Sequence, residues 1–283
     1  SILSTLLGAD AGTARVAGFD VRTHGARVRS AIGVTGQFSA VDNLLTGYEN
    51  LRLMADLRRL GRLEGRRRID DLLALFDLAG AAGTPAATYS GGMKRKLDLA
   101  MTLVARPRVL FLDEPTTGLD PRSRRDLWTV VRDLVDDGVS ILLTTQYLDE
   151  ADRLAHRVAV LDGGRIVADD EPARLKQQVP GGRIHLHFAD PGRADEARGA
   201  LAGAWPGPEA ERSADGTGLN LELPASGAVP ALRALLDRLD ERAVPVDHLE
   251  VTAPDLDDVF FALTATPTET PSPLPGPTGR ARP

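Results

Sequence analysis

Tyr89-Ser90-Gly91-Gly92-Met93 and, downstream, Val109-Leu110-Phe111-Leu112-Asp113-Glu114-Pro115 decide how this chain is read. The first stretch sets a serine and two glycines directly before an amphipathic run, Met93, Leu97, Ala100, Met101 and Val104. Glycines let backbone N–H groups approach an anion, and the helix that follows adds its positive dipole end. The second stretch is an apolar strand that ends in two adjacent carboxylates. Successive strand residues face opposite sides, but at a strand's C-terminal end both can turn into the crevice where ligands bind in open α/β sheets. Alone, Ser-Gly-Gly is also a common turn before a helix, and Asp-Glu is also a solvated acidic turn. Their order along the chain carries the information.

Composition bounds what this pair of motifs can serve. The 283 residues are 42% hydrophobic and 26% charged, the balance of a globular protein with one large domain and a small one. No apolar stretch approaches the roughly 20 residues a membrane helix needs, so a membrane role would run through a partner. The net charge of −6 argues against nucleic acid, whose binders present a basic field. The absence of cysteine excludes disulfides and thiolate metal sites and suits the cytosol. Ser1 to Gly8 has neither an initiator Met nor a basic n-region, so it is not a signal peptide. It reads as the tail of a helix ending at Gly8.

Working outward from the motifs, residues 13–17 and 32–35 read as short strands, the second leading to Gln37. Thr46-Gly47-Tyr48-Glu49 has capping-box spacing and predicts a helix carrying Leu51, Met54 and Leu57. Ile69, Leu72, Leu73 and Phe76 mark another. After the strand at 109–112 come a helix through Leu127, Val130, Val131 and Leu134, a strand at 139–145 and a helix at 148–155. Residues 157–161 and 165–168 pair across Asp162-Gly163-Gly164 as a hairpin. This alternation predicts a mostly parallel sheet covered on both faces. Beyond Pro180-Gly181-Gly182, alternating Ile184, Leu186, Phe188 and Leu219, Leu221, Leu223 predict strands, Leu232 to Leu239 a helix, 246–251 a strand and 256–263 a helix. The division expected is 1–175 for the first domain, with a helical insertion at about 42–105, then 183–265 for a small α/β domain. The Pro/Thr/Ser-rich residues 266–283 are expected to be disordered. His185 and His187 share a strand face, and Arg66-Arg67-Arg68 opens a helix; both read as solvated faces.

The order Gln37, Ser90-Gly91-Gly92, Asp113-Glu114, Gly118-Leu119-Asp120-Pro121 resembles the nucleotide-binding subunit of ABC transporters, a P-loop NTPase-type α/β fold. Over residues 1 to about 265 the resemblance implies a role for each motif. Asp113 looks like the Walker B aspartate that holds Mg²⁺, and Glu114 like the glutamate that polarises the attacking water. Ser90, Gly91 and Gly92 look like the signature that acts in trans on the γ-phosphate of ATP held by a second nucleotide-binding subunit. That implies a dimer, a homodimer being expected. Gln37 matches the glutamine that reaches Mg²⁺ or the lytic water, in a loop that faces a separate transmembrane permease. Asp120 matches an aspartate at the dimer interface, and as a residue before Pro121 it also reads as a helix N-cap. Where most members place a γ-phosphate-contacting histidine, Gln146 stands here; glutamine can donate a hydrogen bond but carries no imidazolium charge.

The string Thr144-Thr145-Gln146-Tyr147-Leu148-Asp149-Glu150-Ala151-Asp152 looks like the daunorubicin/doxorubicin-resistance branch, as do residues 33–42 and Leu256-Asp257-Asp258-Val259-Phe260. The resemblance therefore implies the ATP-hydrolysing subunit of an exporter for a hydrophobic drug or natural product. Such a subunit confers antibiotic resistance from the cytoplasmic face of the plasma membrane. A non-transport ABC ATPase of DNA repair or translation is the competing class; its long coiled-coil insertion or tandem second domain is not seen in this sequence.

No Gly-x-x-x-x-Gly-Lys-[Ser/Thr] loop occurs in the 283 residues. Two forms of the protein are compatible with that: a truncated form of an intact ATPase, or a short form that lends Ser90-Gly91-Gly92 to an intact partner. A fold weakened by a lost central strand is the third possibility. The isolated 283-residue chain is therefore expected to be aggregation-prone and to bind Mg²⁺-ATP weakly. Titration of a monodisperse preparation checks this, and micromolar affinity contradicts it.

Overall fold

The computed structural model describes residues 1–36, 40–179, 182–202, 211–213, 217–222 and 228–264, with only the backbone described at 183, 211, 212, 221, 222 and 228. The expectations for Gln37, Leu223 and the tail from 266 onward fall outside the described residues. The chain divides into two compact units, Ser1–Leu154 and Ala155–Pro283.

In the first unit, residues 1–8 form hydrogen-bonded turns (Thr5 N–H to the Ile2 carbonyl, Leu6 N–H to the Ser1 carbonyl) rather than the expected helix tail. Thr5 sits at φ 64°, a left-handed conformation that interrupts helical hydrogen bonding. The strand expected at 13–17 is a tight hairpin, β1 (Arg15–Val16) with β2 (Phe19–Asp20), followed by a short helix α1 (Gly25–Ala31). Then come β3 (Ile32–Thr35), α2 (Gly47–Leu57), α3 (Arg62–Leu75), α4 (Gly91–Leu103), β4 (Val109–Asp113), α5 (Pro121–Asp136), β5 (Ser140–Thr144) and α6 (Leu148–Leu154).

Strands β3, β4 and β5 form a parallel sheet with β4 in the centre, Thr35 beside Leu112 and Asp113 beside Thr144. Leu110 and Leu112 point into a core shared with Leu97, Ala100, Leu127, Val131, Leu72 and Phe76, so α4, α5 and the inserted helices cover this face. The opposite face is less protected than expected. The hairpin and α1 cover part of it through Val16, Val21, Val28 and Ile32, against which Val109 and Phe111 pack. Val34 and Leu142 remain 46% and 49% exposed.

The insertion is built as its sequence indicates. Thr46 caps α2: its hydroxyl accepts from Glu49 N–H at 3.2 Å, and the Glu49 carboxylate accepts from Thr46 N–H at 2.8 Å. Asn50, fully buried, accepts from Asp42 N–H and donates to the carbonyls of Asp42 and Thr46, so this polar side chain is satisfied within the loop it secures. Arg68 departs from expectation. Arg66 and Arg67 are exposed, but Arg68 is half-buried and donates to the Leu103 carbonyl at 2.8 Å. A cation there answers the negative end of α4.

In the second unit, β6 (Val158–Asp162) and β7 (Arg165–Asp170) form the expected hairpin, followed by α7 (Pro172–Lys176). An antiparallel sheet follows, built from β8 (Arg183–His187), β9 (Glu211–Arg212), β10 (Gly218–Glu222) and β11 (His248–Thr252), in the order β11-β8-β10-β9. Helices α8 (Pro191–Leu201) and α9 (Ala228–Glu241) share a core with Ile184, Leu186, Phe188 and Leu219, and α10 (Leu256–Thr264) closes the described chain. His185 meets Asn220, its neighbour on β10, at 2.6 Å. Helix α8 is a further element that the hydrophobic pattern hides, because it buries mainly Ala194, Ala197 and Ala200. The available signal is Asp190-Pro191, which the structure uses as N-cap and first helical residue.

Removing the Thr46 cap by Thr46→Ala is expected to cost about 1 kcal/mol. Urea unfolding of the purified protein measures the loss.

Candidate functional site

The C-terminal end of β4 carries the two carboxylates. Asp113, the last strand residue, is exposed and accepts a short hydrogen bond from the Thr144 hydroxyl on β5. Glu114 follows in a left-handed conformation, φ 45°, uncommon for a residue with a side chain. Both of its backbone groups are held. Its N–H donates to the Thr144 carbonyl at 2.9 Å, and its carbonyl accepts from Arg95 at 3.4 Å. The Glu114 carboxylate accepts from the Thr117 hydroxyl at 3.1 Å and from the Gln146 amide at 3.4 Å. Asp113 and Glu114 are thus brought together with Gln146 from two separate stretches of chain.

The residues after β5 are fixed as well. The Thr145 hydroxyl accepts from Tyr147 N–H at 2.9 Å, and the Arg124 guanidinium lies 4.3 Å from the Tyr147 ring centroid. Three residues beyond Tyr147, the Glu150 carboxylate is fully buried and accepts from the Trp128 indole N–H at 2.9 Å, joining α6 to α5.

Ser90 caps α4, its hydroxyl accepting from Met93 N–H at 3.2 Å. Open space surrounds the Cα of Gly91, whereas Gly92 lies hard against α5: a Cβ there would stand 2.5 Å from the Ser123 hydroxyl. That hydroxyl donates to Asp120 at 2.6 Å, and Asp120 also accepts from the N–H groups of Arg122 and Ser123, capping α5. Ser90, Gly91 and Asp120 are therefore exposed together where two helices begin, with Gly92 buried at the contact between those helices. These hydrogen bonds, the Ser123 hydroxyl foremost, hold the Asp120 carboxyl below its ordinary value of 3.8.

Tyr89 is buried and donates to the Ala81 carbonyl at 2.7 Å, its hydroxyl lying against Gly47 at the start of α2. Burial pushes its phenol pKa up. Arg95, on α4 behind the carboxylates, is the functional candidate that sequence reading missed. It donates to the carbonyls of Gly36 (3.0 Å), Asp113 (3.1 Å) and Pro115 (2.8 Å). Burial pushes its guanidinium pKa down, while Asp98, Asp113 and Glu150 push it back up.

Residues 1–117 match the ABC transporter family. Over 268 residues, 95% of this chain and 82% of the relative, the sequence is 46% identical to the daunorubicin resistance ATP-binding protein DrrA2 of Streptomyces coeruleorubidus. The chain belongs to the ABC transporter ATP-binding family. It is also 44% identical to the daunorubicin/doxorubicin resistance ATP-binding protein DrrA of Streptomyces peucetius, over 95% of this chain and 80% of that one. A solved ATP-binding subunit of an ABC transporter superposes on 62% of this chain and 73% of its own with a TM-score of 0.55 and 27% identity.

Within this ABC ATPase fold the donors at the end of β4 and β5 are hard oxygens, the carboxylates of Asp113 and Glu114 and the hydroxyl of Thr144. That set fits Mg²⁺, which takes one or two carboxylates and completes its shell with water and phosphate oxygens. No helix among the described residues is long and apolar enough to cross a membrane.

Because the Asp120 carboxyl is depressed, its contribution to stability is complete above its ordinary value of 3.8 and is lost as pH falls through the lower folded value. The stability difference between the native protein and Asp120→Asn should therefore be constant above about pH 5 and shrink on acidification. Thermal melts across about pH 2 to 7 check the sign.

Proposed function

We propose that this protein is the ATP-hydrolysing subunit of an exporter for a hydrophobic drug or natural product and confers antibiotic resistance. The observation that carries the hydrolytic part is the grouping of Asp113, Glu114 and Gln146 at the C-terminal end of the central parallel strand. The names of its relatives support the exported class.

In this reading the Asp113 carboxylate would hold Mg²⁺, with the Thr144 hydroxyl fixing its orientation. Bound Mg²⁺ would neutralise charge that develops on the phosphates. Glu114 accepts a proton from the water that attacks the γ-phosphate, and the Gln146 amide orients that carboxylate without adding charge. Gln37 would contribute a second neutral amide, toward Mg²⁺ or the lytic water. Ser90, Gly91 and Gly92 donate to the γ-phosphate of ATP held by a second copy of this chain, and the exposed starts of α4 and α5 suit a homodimer contact there. Asp120 sits in the same contact. Closure of the dimer is transmitted through α2 and α3 to a separate transmembrane permease, which holds the protein at the cytoplasmic face of the plasma membrane.

Glu114→Gln in the protein at its native length should lower ATP turnover by about 100-fold or more while ATP binding persists. Steady-state phosphate release and equilibrium nucleotide binding test the two halves, and unchanged turnover contradicts the role given to Glu114.

A further inference from the structure

Arg95 and Asp98 lie one turn apart on α4, and neither belongs to a motif that singles itself out in the sequence. Both are withdrawn from solvent, their side chains 13% and 5% exposed, with a nitrogen–oxygen separation of 3.4 Å. Four of the five contacts of the Arg95 guanidinium go to main-chain carbonyls: Pro115 through Nε, Asp113 and Glu114 through Nη2, and Gly36 through Nη1. Asp98 takes the fifth and, through its other oxygen, accepts Ala40 N–H at 2.9 Å. One buried ion pair thereby reaches the residues just past β3, the residues just past β4, and Ala40.

A merely structural role explains this arrangement poorly. A buried ion pair offers little net stability over a well-packed apolar pair, because desolvation offsets the attraction. The carbonyls it serves, however, are those of the turn that puts Glu114 in its left-handed conformation. The Glu114 N–H is held from β5, and its carbonyl by Arg95. Without the guanidinium, the Glu114 carbonyl keeps among the described residues only the turn contact from Thr117 N–H. The turn could then relax and swing the carboxylate away from Gln146.

We propose that Arg95 and Asp98 are positioning residues of the hydrolytic site, Arg95 fixing the backbone that aims Asp113 and Glu114 and Asp98 holding Arg95 in place. The inference rests on the role given to Glu114 above. Lysine does not substitute for arginine here, since a single ammonium cannot span carbonyls on both strand ends as the planar fork does. Arg95 makes no contact that would recognise nucleotide, so its loss should fall on kcat rather than on KM. A misplacement of about 1 Å at a reacting group can cost about 100-fold in rate.

The test uses the protein at its native length, assembled with its membrane partner, and compares Arg95→Met, Arg95→Lys, Asp98→Asn and Glu114→Gln. Turnover is expressed per bound nucleotide, so that unfolded material is not counted, and melts are recorded for every variant. The expected result is a fall in kcat of about 100-fold for Arg95→Met and at least about tenfold for Arg95→Lys. Asp98→Asn, which keeps an acceptor for Ala40 but removes the counter-charge, should fall between wild type and Arg95→Lys. KM for ATP should stay within about threefold, and the Mg²⁺ concentration for half-maximal rate should rise, because Asp113 is carried by the same backbone. Should Arg95→Met fail to fold, Arg95→Lys and Asp98→Asn carry the test. If turnover per bound nucleotide and the Mg²⁺ midpoint match wild type in folded variants while only the melts move, the pair is structural and the proposal is overturned. If Glu114→Gln itself turns over normally, the assignment of Glu114 fails first, and the positioning role falls with it.

Discussion

Parallel strands that stop side by side leave carbonyls with no ladder partner, and buried carbonyls must be satisfied. In this protein that need arises where β3 and β4 end, at Gly36 and at Asp113 to Pro115. The Arg95 guanidinium meets it, with Asp98 as counter-ion. The carboxylates, the Gln146 amide and the start of α4 are all placed relative to that backbone. The sheet register supplies the other half of the constraint, since Thr144 lies opposite Asp113 and meets both its side chain and the Glu114 N–H.

Around this frame the first unit divides its tasks between a covered and a less covered face. Leu110 and Leu112 enter the core formed with α4 and α5, while Val34 and Leu142 on the other face stay close to half exposed. The inserted helices contribute Leu51, Ile69, Leu72 and Phe76 to the same core. They are joined to the Ser90 helix through Tyr89, which fills space beside Gly47 and hydrogen-bonds to Ala81. A leucine in place of Tyr89 would fill the space but could not make that bond.

Much of this was legible in the sequence because it rests on local rules. The Thr46–Glu49 capping box, the 3.6-residue spacing of Ile69, Leu72, Leu73 and Phe76, and the apolar strand ending at Asp113 each carry their own pattern. The grouping of Asp113, Glu114 and Gln146 was legible only through the order of motifs, because no spacing rule brings residue 146 to residue 114. Three things stayed hidden. Arg95 was indistinguishable from its neighbours Lys94 and Lys96, since its burial depends on two strand ends far away in sequence. Arg68 looked like part of a solvated cluster until α4 placed the Leu103 carbonyl beside it. Helix α8 buries alanines, which give little hydrophobic contrast between its faces.

Arg95 reads carbonyl oxygens, which every residue type supplies alike. The contacts that shape the turn therefore do not depend on which side chains stand at positions 36, 113, 114 and 115, and the demand for carboxylates at 113 and 114 comes from the chemistry alone. Among the described residues, the Gln146 side chain hydrogen-bonds to the site through the Glu114 carboxylate and lies outside that frame. An exchange between glutamine and histidine there would alter charge and hydrogen bonding while the scaffold beneath stayed the same. A mainchain-reading arginine thus separates the backbone that shapes the site from the side chains that give it its chemistry.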